Sequence, residues 1–375
     1  MVTATMNQHI IKANGNDEEL GKYLASLDLS KLLLVCDDSL QFLKVKEFFD
    51  SLENEYGIKV VKFSDFKPNP LYESVVKGVD VFHEEECDAI FAVGGGSAMD
   101  VAKCIKLYSN MDNSINFLEQ EIVPNDVKLM AMPTTAGTGS EATKFAVIYF
   151  DGVKQSVADD SCIPSVVVFD TSVLETLPEY QKKSTMLDAL CHSVESFWSV
   201  NSTDESRRYS KQAFELILEN KDGYFNNDPG ANEKMLEASH IAGKAINITQ
   251  TTAGHAMCYK LTSLYEIAHG HAAALCDSKL IPFMVNNIDL CIDNRGGEFL
   301  SGIFDEMAKT MSCETQDEMA NKFDKLVDDL ELPKPSAKDQ DFVELVSSVN
   351  PTRLKNHPIR LTEETIEMLY HQILD

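Results

Sequence analysis

The feature that most restricts the fold is a change of rhythm near the middle of the chain. Before it, five short apolar runs at 32–35, 60–63, 89–93, 128–132 and 166–169 alternate with helix-like stretches at 40–52, 71–86 and 98–108. Apolar strands separated by helices are covered on both faces and predict a mostly parallel sheet. Residues 145–150 and 153–157, around Asp151-Gly152, read as a hairpin. From Pro178 onward the strand signal fades. Segments at 178–200, 204–220, 231–253, 255–267, 271–294, 296–311, 315–330, 338–347 and 362–373 carry apolar residues every three or four positions, as helices do. The Gly-, Asn- and Asp-rich stretch 222–232 reads as a loop between helices. The expectation is an α/β domain over 1–176 and an all-α domain over 177–375, with a ligand site between them by default.

Composition narrows the function classes. The 375 residues suit two domains of about 150 each, and 44% hydrophobic with 25% charged residues excludes disordered and fibrous classes. With 33 basic against 60 acidic residues the net charge is −27, so the chain has no general footprint for nucleic acid or an anionic membrane. No apolar run approaches the roughly 18–20 residues needed to cross a bilayer. The opening residues lack a basic region followed by an apolar core, so no secretory signal is expected. Nine scattered cysteines without a CxxC pair suit reduced core thiols. A cytoplasmic protein is expected.

The run at 89–93 leads into Gly94-Gly95-Gly96-Ser97 and then a helix-like segment. Glycines let the backbone turn sharply and approach a ligand without Cβ clashes. Ser97 can cap the next helix, whose free N–H groups favour a phosphate. A glycine-rich turn without a ligand would look the same, and the pattern is neither GxGxxG nor a Walker A sequence. A second turn, Pro133-Thr134-Thr135-Ala136-Gly137-Thr138-Gly139-Ser140, follows the run at 128–132 with small hydroxyls suited to pyrophosphate, ribose or an amide. Two such turns on one parallel sheet point to a dinucleotide. Asp37, after the run at 32–35, can accept hydrogen bonds from a ribose and would repel a 2′-phosphate, favouring NAD(H) over NADP(H); a solvated turn acid is the alternative.

In the helical half, Asp188 and His192 are four apart and share one helix face. His255, His269 and His271 fall within seventeen residues of an otherwise largely apolar segment. Charged groups are costly to bury there without a partner. One carboxylate with several imidazoles suits Fe²⁺, Zn²⁺, Mn²⁺ or Ni²⁺ rather than Ca²⁺ or Mg²⁺. A core histidine beside an acid is the other reading of Asp188 and His192, and His271 reads equally as a residue behind the site or on the surface.

Taken together, GGGSAMD (94–100), PTTAGTGSEAT (133–143), DALCH (188–192) and HAMCYKLTSLYEIAHGHAAAL (255–275) resemble the iron-containing (group III) alcohol dehydrogenase family. Its fold is shared with glycerol dehydrogenase and dehydroquinate synthase. The similarity runs from the strand before Asp37 to the tail at 350–358. It implies a dinucleotide-binding first domain and a metal-binding second one. Asp188, His192, His255 and His269 are the implied ligands of one divalent metal, Fe²⁺ or Zn²⁺. Asp37, Gly95, Gly96, Ser97, Asp100, Thr134, Thr135, Thr138, Ser140 and Lys154 are the implied contacts of NAD, with NADP as the alternative. Tyr259 stands where many members carry a second histidine. The Tyr-Lys-Leu-Thr-Ser and His-Gly-His segments are most similar to the branch that reduces phosphonoacetaldehyde to 2-hydroxyethylphosphonate.

The expected chemistry is reduction of a small aldehyde to a primary alcohol, with Tyr259 or His271 supplying the proton. Bound water or a ribose hydroxyl would serve as well. A phosphonate tail needs basic partners, and Lys260, Arg207, Arg208 and Lys144 are candidates, each of which also reads as a solvated surface charge. The alternatives are a general small-alcohol dehydrogenase of the lactaldehyde, butanol or glycerol type, and a lyase like dehydroquinate synthase. Against the lyase, its relatives carry Glu at the first metal position, where this chain has Asp188. A non-catalytic binding protein is a further reading that no residue favours. A homo-oligomer is expected.

Overall fold

The computed structural model describes residues 8–374, apart from the side chain of Arg353. The chain divides between Leu177 and Pro178 into two compact units. In the first, β1 (His9–Lys12), β2 (Lys31–Cys36), β3 (Lys59–Phe63), β4 (Ala89–Gly94), β5 (Lys128–Pro133) and β8 (Val166–Phe169) form a six-stranded sheet in the order β1-β8-β5-β4-β2-β3. Every pairing in it is parallel. The central strand β4 is buried at every residue, so its uninterrupted apolar run is what a doubly covered strand requires. β6 (Phe145–Phe150) and β7 (Val153–Ala158) pair antiparallel. They turn through Asp151 at φ 49° and Gly152 at φ 73°, the left-handed pair that a tight hairpin demands. The helices are α1 (Glu18–Ala25), α2 (Val45–Tyr56), α3 (Tyr72–Glu84) and α4 (Gly96–Tyr108).

The second unit is helical. It contains α5 (Glu179–Trp198), α6 (Asp204–Phe225), α7 (Pro229–Thr249), α8 (Ala253–Tyr265) and α9 (His269–Asn286), followed by shorter helices to Leu374. Fifteen residues of α5 are buried, including both Asp188 and His192, which makes it the central helix of this unit. The stretch read as a loop at 222–232 is mostly helix. α6 runs on to Phe225, and α7 starts at Pro229 with the Asp228 side chain accepting from Ala231 N at 2.9 Å. Gly223 suits this tight crossing, since a Cβ there would lie 2.8 Å from that of Ala231. Among the described residues, no helix is long and apolar enough to cross a membrane.

Candidate active site

In the first unit the turn after β4 is set by contact rather than by hydrogen-bonding side chains. A Cβ on Gly94 would meet Ala98 Cβ at 2.6 Å, so the backbone is pressed against the first turn of α4. Thr134 N donates to Gly94 O at 3.0 Å and locks the ends of β4 and β5 together. Thr135 and Thr138, half-exposed, stand over Gly95 and Gly96: a Cβ would lie 3.6 Å from Thr135 at the first and 3.2 Å from Thr138 at the second. Asp37 accepts from Ser39 N at 2.8 Å, with its other oxygen 3.8 Å from the position of a Gly94 Cβ.

Beneath this turn lies a residue the sequence reading missed. Lys103, fully buried, donates to Ser140 Oγ at 3.0 Å, Thr143 Oγ1 at 3.1 Å and Phe145 O at 2.8 Å. It ties the threonine-rich turn to α4. Ser140 also bonds Asp100 Oδ1 at 3.2 Å. Burial pushes the Asp100 carboxyl up to about 6, against the pull of the Lys103 charge and, more weakly, of Lys154. The structure thus gathers Asp37, the glycine turn, Asp100, Ser140 and the threonines at the carboxyl ends of β2, β4 and β5, where open α/β sheets bind ligands.

In the second unit, Asp188, His255 and His269 each aim one ligand atom into a space where all three lie within 4.8 Å of one another. His192, one turn along α5, has Nε2 at 3.9 Å from Asp188 Oδ1 and stacks its ring on His255 at 4.6 Å. His255 Nε2 is 3.4 Å from Asp188 Oδ1. Ligand atoms sharing one ion at about 2.1 Å stand roughly 3–3.5 Å apart, so Asp188, His255 and His269 fit one ion after closing in from a spread of up to 4.8 Å, and His192 lies outside that group. Gly270 makes the approach of α9 possible. A Cβ there would sit 2.1 Å from Ser184 O and 2.5 Å from Asp188 Cβ.

The electrostatics also call for a cation. Burial pushes Asp188 up, but the charge of His192, the hydrogen bond from His255 and the charges of His269 and His255 outweigh it and hold the carboxyl well below its usual range. Burial lowers His255, yet Glu195 and Asp188 pull it up to about 10. Without metal, then, His255 carries the positive charge that the surrounding carboxylates require. A divalent ion would take that charge over and leave the ring neutral. Asp277, next to Glu195, is driven well above the carboxylate range by burial and then by the Glu195 charge, so it stays protonated.

Glu195 was not singled out from sequence. It lies seven residues after Asp188, so Asp188, His192 and Glu195 follow one stripe of α5, and that spacing was a usable signal. Tyr180 was likewise missed. Its hydroxyl accepts from Ala268 N at 2.8 Å and lies 3.3 Å from His271 Nδ1. Burial pushes His271 down to about 4, which keeps it neutral at physiological pH. Tyr259 is half-buried with its ring 5.3 Å from that of His269. Cys258 Sγ is 3.5 Å from His269 Nδ1. The basic candidates are placed as follows: Lys260 pairs with Glu344, Arg207 with Asp204 and Lys144 with Asp160, while Arg208 is exposed.

Residues 7–171 match the family described as iron-containing alcohol dehydrogenase, and residues 182–374 match the Fe-containing alcohol dehydrogenase family, C-terminal. The chain belongs to the iron-containing alcohol dehydrogenase family. The NAD-dependent methanol dehydrogenase of Bacillus methanolicus is 32% identical over 278 residues, covering 72% of this chain and 71% of its own. Aldehyde-alcohol dehydrogenase 2 of Entamoeba histolytica is 33% identical over 284 residues, 70% of this chain but 32% of that longer protein. Among solved structures, the NAD⁺ complex of sulfoacetaldehyde reductase from Bifidobacterium kashiwanohense superimposes with a TM-score of 0.85 at 25% identity, covering 98% of this chain and 96% of that one. This member of the family is therefore a metal-dependent alcohol dehydrogenase or aldehyde reductase by class.

Proposed function

We propose that this member of the family reduces a small aldehyde to a primary alcohol with NADH, and that phosphonoacetaldehyde, giving 2-hydroxyethylphosphonate, is its substrate. The convergence of Asp188, His255 and His269 within 4.8 Å carries the reading. Asp188 and the imidazoles of His192, His255 and His269 would hold one divalent ion, and the lack of a thiolate leaves Fe²⁺ and Zn²⁺ both suitable. When bound, that ion supplies Lewis acidity toward a carbonyl and NADH supplies the hydride.

The chain's own residues do the rest. Backbone N–H groups at Gly95, Gly96 and Ser97 would hold the pyrophosphate, with Thr134, Thr135 and Thr138 beside them. Asp100, Ser140 and Lys154 form the adjoining polar edge. Asp37 selects the 2′-hydroxyl of NAD over the phosphate of NADP. Because Tyr180 already accepts from Ala268 N, its O–H is free to donate to His271 Nδ1. His271 then carries its proton on Nε2, where it can donate to a developing alkoxide. Tyr259 is the second donor of this kind.

The anionic tail is supported by two observations. The segments around Tyr259 and His271 are similar to the phosphonate branch, and a fold neighbour reduces sulfoacetaldehyde, a small aldehyde named for its sulfonate. Lys260 would leave Glu344 to meet the phosphonate. A second reading, an uncharged small alcohol as substrate, is favoured by that same ion pair, which already neutralises Lys260. A panel of phosphonoacetaldehyde, propanal and lactaldehyde, each followed by loss of NADH absorbance, separates the two. Phosphonoacetaldehyde should have the highest kcat/KM, and Lys260→Ala should raise its KM by roughly tenfold, about 1.4 kcal/mol of binding, while leaving propanal unchanged. Equal effects on both substrates would remove the phosphonate assignment and leave the aldehyde reductase standing.

A further inference from the structure

The metal cluster is backed by a carboxylate that contacts the proposed ligand His255. Glu195 is fully buried on α5 and meets four donors at the start of α8. Its Oε1 accepts from His255 N at 3.0 Å and stands 2.5 Å from His255 Nδ1. Its Oε2 accepts from Thr252 Oγ1 at 2.7 Å and from Thr252 N. The Thr252 hydroxyl in turn accepts from Trp198 Nε1 at 2.9 Å, which commits its own proton to Glu195. The chain of donors therefore runs one way, from Trp198 through Thr252 into Glu195. Gly254 leaves room for it, since a Cβ there would lie 2.7 Å from Glu195 Oε1.

We infer that Glu195 is the positioning residue that sets the ring of His255, holding the proton on Nδ1 and turning Nε2 toward Asp188 as the metal-binding atom. This rests on the reading of His255 as a metal ligand. A neutral imidazole has one donor and one acceptor nitrogen, and a carboxylate on Nδ1 decides which is which. With these four groups donating, and protonated Asp277 beside them, only an acceptor on both oxygens fits. A glutamine amide would face either Thr252 N or His255 N with its own N–H groups. In the second orientation it would favour the tautomer protonated on Nε2, which cannot bind an ion there.

Trp198 makes the arrangement observable. It is the sole tryptophan, is fully buried, and ends the same hydrogen-bond chain. Titrating metal-free protein with Zn²⁺ against a chelator, with Trp fluorescence read alongside, tests the role without any turnover. Glu195→Gln should bind Zn²⁺ about 10–100-fold more weakly than the unmodified protein, lose the zinc-dependent change in Trp198 emission, and keep its NADH affinity. Wild-type zinc affinity in Glu195→Gln overturns the positioning role. Undiminished zinc affinity in His255→Ala overturns the ligand set beneath it. If Glu195→Gln does not fold, a crystal structure of the zinc-loaded wild-type protein decides. Zinc on His255 Nε2 with Glu195 on Nδ1 upholds the inference, and zinc on Nδ1 or on Glu195 itself refutes it.

Discussion

Around Gly95 the groups available to a ligand are main-chain N–H groups and small hydroxyls, half open to solvent, whereas around Asp188 they are ionisable side chains, with Asp188 at 3% exposure and His255 at 1%. The first arrangement is redundant. Several backbone donors would share one phosphate, and their positions follow from the pressed turn between β4 and α4. The second is not redundant. Each side chain offers one ligand atom, and each lost carboxylate leaves a buried positive ring uncompensated. A single substitution is therefore graded in its effect around Gly95 and close to all-or-none around Asp188.

The largest effect is expected at Asp188. Asp188→Asn keeps the shape but removes the charge, and should lose bound metal and at least about 10³-fold in kcat, since metal activation is worth several kcal/mol. Metal analysis beside turnover checks it, and a metal-loaded variant would erase the contrast between the two regions. Gly270→Ala comes next. Its Cβ meets a backbone oxygen rather than a yielding side chain, so the second unit should lose about 3 kcal/mol in denaturant unfolding, together with metal affinity. Gly95→Val probes the other region. Its new side chain begins 3.6 Å from Thr135 in ordinary contact, so the fold and the metal should survive. NADH affinity should fall by roughly tenfold, a loss of about 1.4 kcal/mol, and fluorescence titration measures it.

A further effect, spread over the range from pH 6.5 to 4, is a pH dependence. His357 is fully buried, and burial pushes it down to about 4 from 6.5, with Glu195 pulling weakly the other way. The unfolded chain takes up a proton that the folded one refuses. Stability of the metal-free protein should therefore fall as pH drops from 6.5 toward 4, by up to about 3 kcal/mol from this group. His357→Leu should flatten that part of the curve, and an unchanged slope would show that His357 does not contribute.

Much of the first unit was legible because its signals are local. Buried parallel strands are apolar at every position, and the Asp151-Gly152 turn carries its own backbone requirement. β1 escaped notice because four residues ending in lysine carry too little pattern. In the second unit, the i, i+4 pair of Asp188 and His192 was visible. The contributions of Gly270, Tyr180 and Lys103 were not, since each depends on a contact across many residues of sequence: Gly270 on Ser184, Tyr180 on Ala268, and Lys103 on Ser140. Glu195 is the instructive case. Its spacing from Asp188 was readable, but its purpose exists only once α8 brings four donors to it.

The most direct test of the account is a titration of metal-free protein with Fe²⁺ under anaerobic conditions, with NADH-dependent aldehyde reduction followed at each addition. Activity should rise in proportion to added ion and break at one equivalent per chain. Full activity before any ion is added, unchanged by chelator, would contradict the claim that Asp188, His192, His255 and His269 work by holding a metal.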